Sequence, residues 1–218
     1  MINLRSGTYG EYYGSYIDES GSLTKAQLET NALYIYSSLT DKGWTLEAIC
    51  GVLGNMENES LMNPGRWQSE AVGSSSAGYG LVQWTPATRH LSWCEDRGLD
   101  PSAMDSNLEH LNWEIDDGDD YYPTKNYPES FREFTQSTEA PYYLACAFAW
   151  NYERSAVVLW GSEEEQEALR QKRGGSAEKW YTYLTGKEPT PPGSGATKRK
   201  RRKYNFVLFG RKAWRNIA

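Results

Sequence analysis

Apolar residues recur along the chain mostly at helical spacing, and polar caps and glycines mark where each run stops. Leu28, Ala32, Ile35 and Leu39 share one face of a predicted helix. Thr24 and Gln27 have capping-box spacing ahead of it, and Gly43 follows as its stop. Thr45 caps a second predicted helix, with Ile49, Val52, Leu53 and Met56 as its stripe and Gly51 and Gly54 on its other side. Glycine weakens a helix, so these two imply close helix packing or ligand approach. Glu57 and Glu59 close the helix.

Residues 63–84 are rich in Gly, Ser and aromatic side chains and have no helical period. Thr85-Pro86 then has the character of an N-cap and first position, opening a helix that ends near Gly98. Leu108, Leu111 and Ile115 mark another helix, and the apolar stretch 138–150 reads as a buried one. Ser162 and Glu165 form a second capping-box pair, and Ser176 reads as the cap of a last helix through Trp180 and Leu184, closed by Gly186. The pattern predicts an α+β fold, predominantly helical, with one small irregular or β region after the second helix.

The ends of the chain break this pattern. Residues 1–21 are Gly-, Ser- and Tyr-rich and read as an extended arm, leaving 22–186 as the domain, 187–197 as a Pro/Gly linker and 198–218 as a basic tail. Net charge is -6, but nine of the 23 basic residues lie from Lys198 onward, where there is no acid. The remaining 14 face 29 acidic residues, so the body is not a nucleic-acid binder. Phe206, Val207, Leu208 and Phe209 beside the basic run favour docking to an assembly or a membrane surface.

No run of about 18 apolar residues occurs, so no transmembrane helix is expected. The first residues have no apolar signal region, so no secretory signal is expected either. Cys50, Cys94 and Cys146 are odd in number and lie among apolar or helical neighbours, which predicts buried free thiols made in a reducing cytosol. Asp116 to Asp120 lacks the spacing and terminal Glu of an EF-hand and reads as a solvated turn. His90 and His110, the two histidines, show no zinc-ligand spacing, and no phosphate-binding loop is present, so neither metal nor cofactor is implied.

Two stretches carry chemistry. Gly54-Asn-Met-Glu-Asn-Glu59-Ser60-Leu-Met-Asn63-Pro64 puts carboxyl groups at the end of an apolar helix. Gly78-Tyr79-Gly80-Leu81-Val82-Gln83-Trp84 is a Gly-rich, aromatic, amide-bearing strip of the kind that lines a sugar groove. Glycoside cleavage near neutral pH needs a carboxyl that is still protonated, whereas free Glu titrates at about 4.3. Apolar surroundings bring such a group to about 6. Helical geometry does not choose between the two glutamates, and Glu57 lies somewhat nearer the apolar stripe.

These stretches resemble the glutamate-serine and Gly-Leu-Met-Gln motifs of lysozyme-like muramidases and lytic transglycosylases, and most closely the phage tail lysozyme family. The resemblance implies a lysozyme-like fold, with 63–84 as its small β-hairpin or groove loops. It implies Glu59 as the acid, because that residue immediately precedes Ser60 and sits just before Asn63-Pro64. It further implies that Gln83 and Asn63 contact substrate and that Tyr79 and Trp84 wall the groove, with Val82 standing where the motif has Met. The run Ala149-Trp150-Asn151-Tyr152-Glu153-Arg154 is similar both to the transglycosylase Ala-Tyr-Asn motif and to an aromatic-Glu-Arg run of the tail lysozymes, which puts Tyr152 behind the acid.

The expected activity is a muramidase cutting β-1,4 bonds between N-acetylmuramic acid and N-acetylglucosamine. Phage tail lysozymes open the wall from the virion, so the resemblance implies synthesis in the bacterial host cytoplasm and action as a tail component, with other tail proteins as candidate partners of the basic tail. A second carboxylate is open among Glu57, Glu70, Glu153 or none. A hydrolase needs it about 5 Å or about 6.5 to 9.5 Å from the acid, and a lytic transglycosylase does without it. Rival readings are a non-catalytic glycan-binding tail protein and a cysteine peptidase pairing Cys94 or Cys50 with a histidine.

Overall fold

The computed structural model describes residues 23–68, 71–117 and 120–187. The chain forms helices α1 (Lys25–Asp41), α2 (Leu46–Glu59), α3 (Thr88–Glu95), α4 (Met104–Asp117), α5 (Phe131–Thr135) and α6 (Pro141–Phe148), a π-helical turn over Ala149–Glu153, then α7 (Ala156–Trp160) and α8 (Glu163–Thr185). The N-terminal arm, the linker from residue 188 and the basic tail fall outside the described residues, as does Glu70.

The caps work as the sequence predicts. The Thr24 side chain accepts from the Gln27 N–H while the Gln27 side chain takes the Thr24 N–H, and Ser162 and Glu165 repeat the arrangement on α8. Thr45 accepts from the Ala48 N–H at the start of α2. Every residue from Ala48 to Met56 is buried, so α2 is enclosed on all sides and forms the centre of the molecule.

Close approach to α6 and α8 makes that possible. A Cβ on Gly51 would lie 2.9 Å from Cβ of Leu144, and one on Gly54 would lie 2.7 Å from the Arg173 carbonyl oxygen. Of the two uses foreseen for these glycines, helix packing is the one observed.

Of the two forms expected for residues 63–84, the irregular one is observed: among the described residues they form turns joined by the isolated antiparallel bridges Trp67–Tyr79 and Tyr79–Trp84, with no β-hairpin. Two expectations need correction. Thr85-Pro86 does not open a helix, because Thr85 Oγ1 donates to the Gln83 carbonyl instead of receiving a helix N–H, and α3 starts at Thr88. Ser176 caps nothing. It lies inside α8, which runs unbroken through Gly174, a residue pressed so closely on the Tyr142 ring that no side chain fits there.

Candidate active site

The turn that leaves α2 is fixed from three directions. Ser60 is fully buried, and its hydroxyl donates to the Leu81 carbonyl at 2.8 Å. Thus the serine beside Glu59 is joined directly to the Gly-Leu-Val-Gln strip. Asn31 of α1 donates to the Met62 carbonyl at 2.9 Å, and Asn107 of α4 accepts the Leu81 N–H at 2.9 Å. Leu61, Met62 and Gln83 all adopt left-handed backbone conformations (φ 55°, 55° and 53°), a strained state for side-chain-bearing residues that persists only where surroundings enforce it. Gly80 (φ 82°) is required for another reason: a Cβ there would fall 2.6 Å from Asn107 Oδ1.

This frame lines an open cleft of about 480 Å³ with Glu59, Arg66, Trp67, Gln83, Glu153 and Ser155. Gln83 is held by its own amide, which donates to the carbonyls of Arg66 (3.0 Å) and Gly80 (2.9 Å). The Trp67 ring is half-buried on the cleft wall and backed by Tyr79, with centroids 4.6 Å apart.

Glu59 does not sit in a purely apolar pocket. It forms an ion pair with Arg173, whose guanidinium also donates to the Asn55 carbonyl at 2.9 Å. Glu57 turns elsewhere and accepts the Trp180 indole N–H at 3.0 Å. The environment therefore separates two glutamates that helical geometry could not.

The other sequence candidates stand behind the cleft. Asn63 is fully buried and accepts the Gly65 N–H, Tyr79 is 4% exposed, and Trp84 donates its indole N–H to Glu114 at 3.1 Å. Tyr152 is buried too and donates to the other Glu114 oxygen at 2.6 Å. Of the binding residues expected from sequence, Gln83 reaches the cleft lining, whereas Asn63, Tyr79, Trp84 and Tyr152 build its support.

Sequence reasoning put Tyr152 behind the acid but missed the buried Glu114 and the histidine pair of that support. Burial raises the Glu114 carboxyl to about 8 against the opposing Tyr152 and Trp84 hydrogen bonds, with the negative charge of Asp120 adding to the rise. His90 Nε2 donates to the Pro101 carbonyl, so its Nδ1 is left to accept from His110 Nδ1 at 2.9 Å. Burial pushes both imidazoles down, His90 to about 4 and His110 to about 3. They stack between Trp84 and Trp93 as neutral core rings.

All three cysteines are free and buried, as the sequence predicts. Cys94 lies 3.6 Å from His90 Nε2, the contact a cysteine peptidase would need. Yet burial raises its thiol to about 11 while the histidine is lowered, so both shifts oppose a thiolate–imidazolium pair. Neither residue lines the cleft. Among the described residues no cluster of potential metal ligands occurs, and no helix is long and apolar enough to cross a membrane.

A central buried helix that delivers a glutamate to a groove, facing a glycine- and amide-bearing turn, defines a mainly helical lysozyme-like protein. Residues 30–184 match the phage tail lysozyme family, and the chain belongs to that family. Over 175 residues, 80% of the chain, it is 41% identical to Morphogenesis protein 1 of Bacillus phage B103. The aligned region takes in 45% of that relative, so the chain spans less than half the length of the protein it matches.

Proposed function

We propose that this chain is a muramidase of the phage tail, hydrolysing the β-1,4 bond between N-acetylmuramic acid and N-acetylglucosamine with Glu59 as proton donor. The observation that carries the reading is the Ser60–Leu81 hydrogen bond, which brings the glutamate-serine motif and the Gly-Leu-Val-Gln strip to one cleft wall. Gln83 presents a fixed amide to the sugar and Trp67 an aromatic face. Asn63, Tyr79, Trp84 and Tyr152 act through position instead of by touching glycan. The family and the relative's designation as a morphogenesis protein support a virion component. The apolar Phe206 to Phe209 beside the basic run is what favours the segment 198–218 as its contact to other tail proteins.

The test is mass spectrometry of fragments released from purified peptidoglycan by wild type and by Glu59→Gln. Products with reducing-end muramic acid, released by wild type alone, are expected. Anhydro-muramic ends would instead make the protein a lytic transglycosylase, which needs no second carboxylate. Wall binding without fragments would make it a glycan-binding tail protein.

A further inference from the structure

Glu59 is held in an ion pair with Arg173, and a general acid needs a source of protons for each one it gives to a glycosidic oxygen. The group placed to supply them is Glu153. That residue closes the π-helical turn Ala149–Glu153, and the next residue, Arg154, is left-handed at φ 44°. A π-helical turn is a rare insertion that re-aims the side chains after it and often occurs at functional sites. Here it turns Glu153 into the same cleft wall as Glu59.

The surroundings of Glu153 do not suit a second carboxylate. Its Oε1 is shut off from solvent and has no hydrogen-bond partner. The charged groups acting on it are Glu59 from α2, Arg173 from α8 and Glu114 from α4, and Arg66 shares the cleft lining. Arg173 is the cation shared by the pair, and its two terminal nitrogens are already engaged with Glu59 and the Asn55 carbonyl. A buried carboxylate oxygen without a donor is expensive, so the neutral acid is the form that fits. Burial, and then the charge of Glu59, push the Glu153 carboxyl well above the usual range, with Arg173 opposing.

We infer that Glu153 is the proton store of the site: it holds the catalytic proton in the free protein and passes it to Glu59. This rests on the reading of Glu59 as the acid. In the transfer the Glu153 O–H bond breaks as the Glu59 O–H bond forms, leaving a carboxylate at Glu153 that Arg173 balances. Glu59 then protonates the glycosidic oxygen as the C–O bond breaks, with the bonding electron pair staying on that oxygen. Water gives its hydroxide to the anomeric carbon, and its proton restores the pair. Glu153 is thus a positioning residue that acts through Glu59.

The experiment is the pH profile of fragment release from purified peptidoglycan by wild type, Glu153→Gln and Glu153→Asp, with folding followed by circular dichroism. Without its store, Glu59 loses its proton supply first at higher pH. Glu153→Gln should therefore lose at least about tenfold more activity at pH 7 than at pH 5, and its alkaline limb should move down by about one unit or more. Glu153→Asp should keep most of the wild-type limb. A uniform loss, or an unmoved limb, overturns the inference while leaving the muramidase reading intact.

Carbon-13 NMR of glutamate-labelled wild type reads the proton directly, whether or not turnover occurs, and either variant identifies the Glu153 signal by its disappearance. A carboxyl still protonated at pH 6 supports the store. Titration in the ordinary range overturns it. Wild type that releases no fragments defeats the muramidase reading instead.

Discussion

Glu59 at the end of α2 and Arg173 in the middle of α8 form an ion pair across 114 residues of sequence. It places a guanidinium where the sequence pattern predicts apolar surface. The same Arg173 backbone meets Gly54, five residues earlier on α2. The contact that buries the central helix therefore also sets the charge of the cleft.

Glu59→Gln should fold and lose activity. Removing a general acid lowers rates by about 10² to 10⁴. Arg173 is left beside a neutral amide, so a loss of about 1 to 3 kcal/mol in stability is expected. Fragment release and urea unfolding of the same preparations separate the two effects.

Gly54→Ala tests the packing that delivers Glu59. Alanine gains about 1 kcal/mol of helix propensity. Against that, the added methyl meets the Arg173 carbonyl and Ala177, and overpacking of this kind costs about 1 to 3 kcal/mol. Urea unfolding should show a net loss, and an unchanged midpoint would mean that α8 yields easily.

Stability should fall as pH rises through about 8, because Glu114 is protonated in the folded protein and ionises from about 4.5 once unfolded. The raised Glu153 acts in the same direction. The depressed histidines act oppositely: their contribution is present above the unfolded value of 6.5 and is lost as pH falls through about 4 and 3. The clean window for the carboxyl effect is pH 6.5 to 8. Across it the melting temperature of wild type should decline more steeply than that of Glu114→Gln.

The cysteine rival is open to a simple check. Burial raises Cys94 to about 11 and Cys146 to about 12, and it raises Cys50 as well. Native protein should resist iodoacetamide and keep its activity, while urea should expose all three thiols. Rapid loss of activity on alkylation of Cys94 would revive the peptidase.

Local physics explains what the sequence made visible. Capping boxes at Thr24 and Ser162, the Thr45 cap and the apolar stripe of α2 depend on residues three or four apart, so these three helix starts and the stripe are readable directly, whereas the enclosure of α2 on all sides is not. The two motifs were legible too, through family resemblance, and with them Glu59 and Gln83 on the cleft. What they could not convey was which of their residues face outward. Tyr79, Trp84 and Tyr152 carry the right chemistry for a groove, yet Glu114 and the histidine pair draw them inward by hydrogen bonding and stacking. Glu114 gives no sign of this in sequence, since its partners lie 30 and 38 residues away. The helix start expected at Ser176 is absent, because α8 runs unbroken through Gly174, on which Tyr142 packs. The sequence by itself marked the helix starts at Thr24, Thr45 and Ser162 and, through family resemblance, the candidate acid. Tertiary structure alone decided the charge partner of that acid, the neutrality of the polar core behind it and the approach of Glu153, because those depend on burial and on contacts between distant segments.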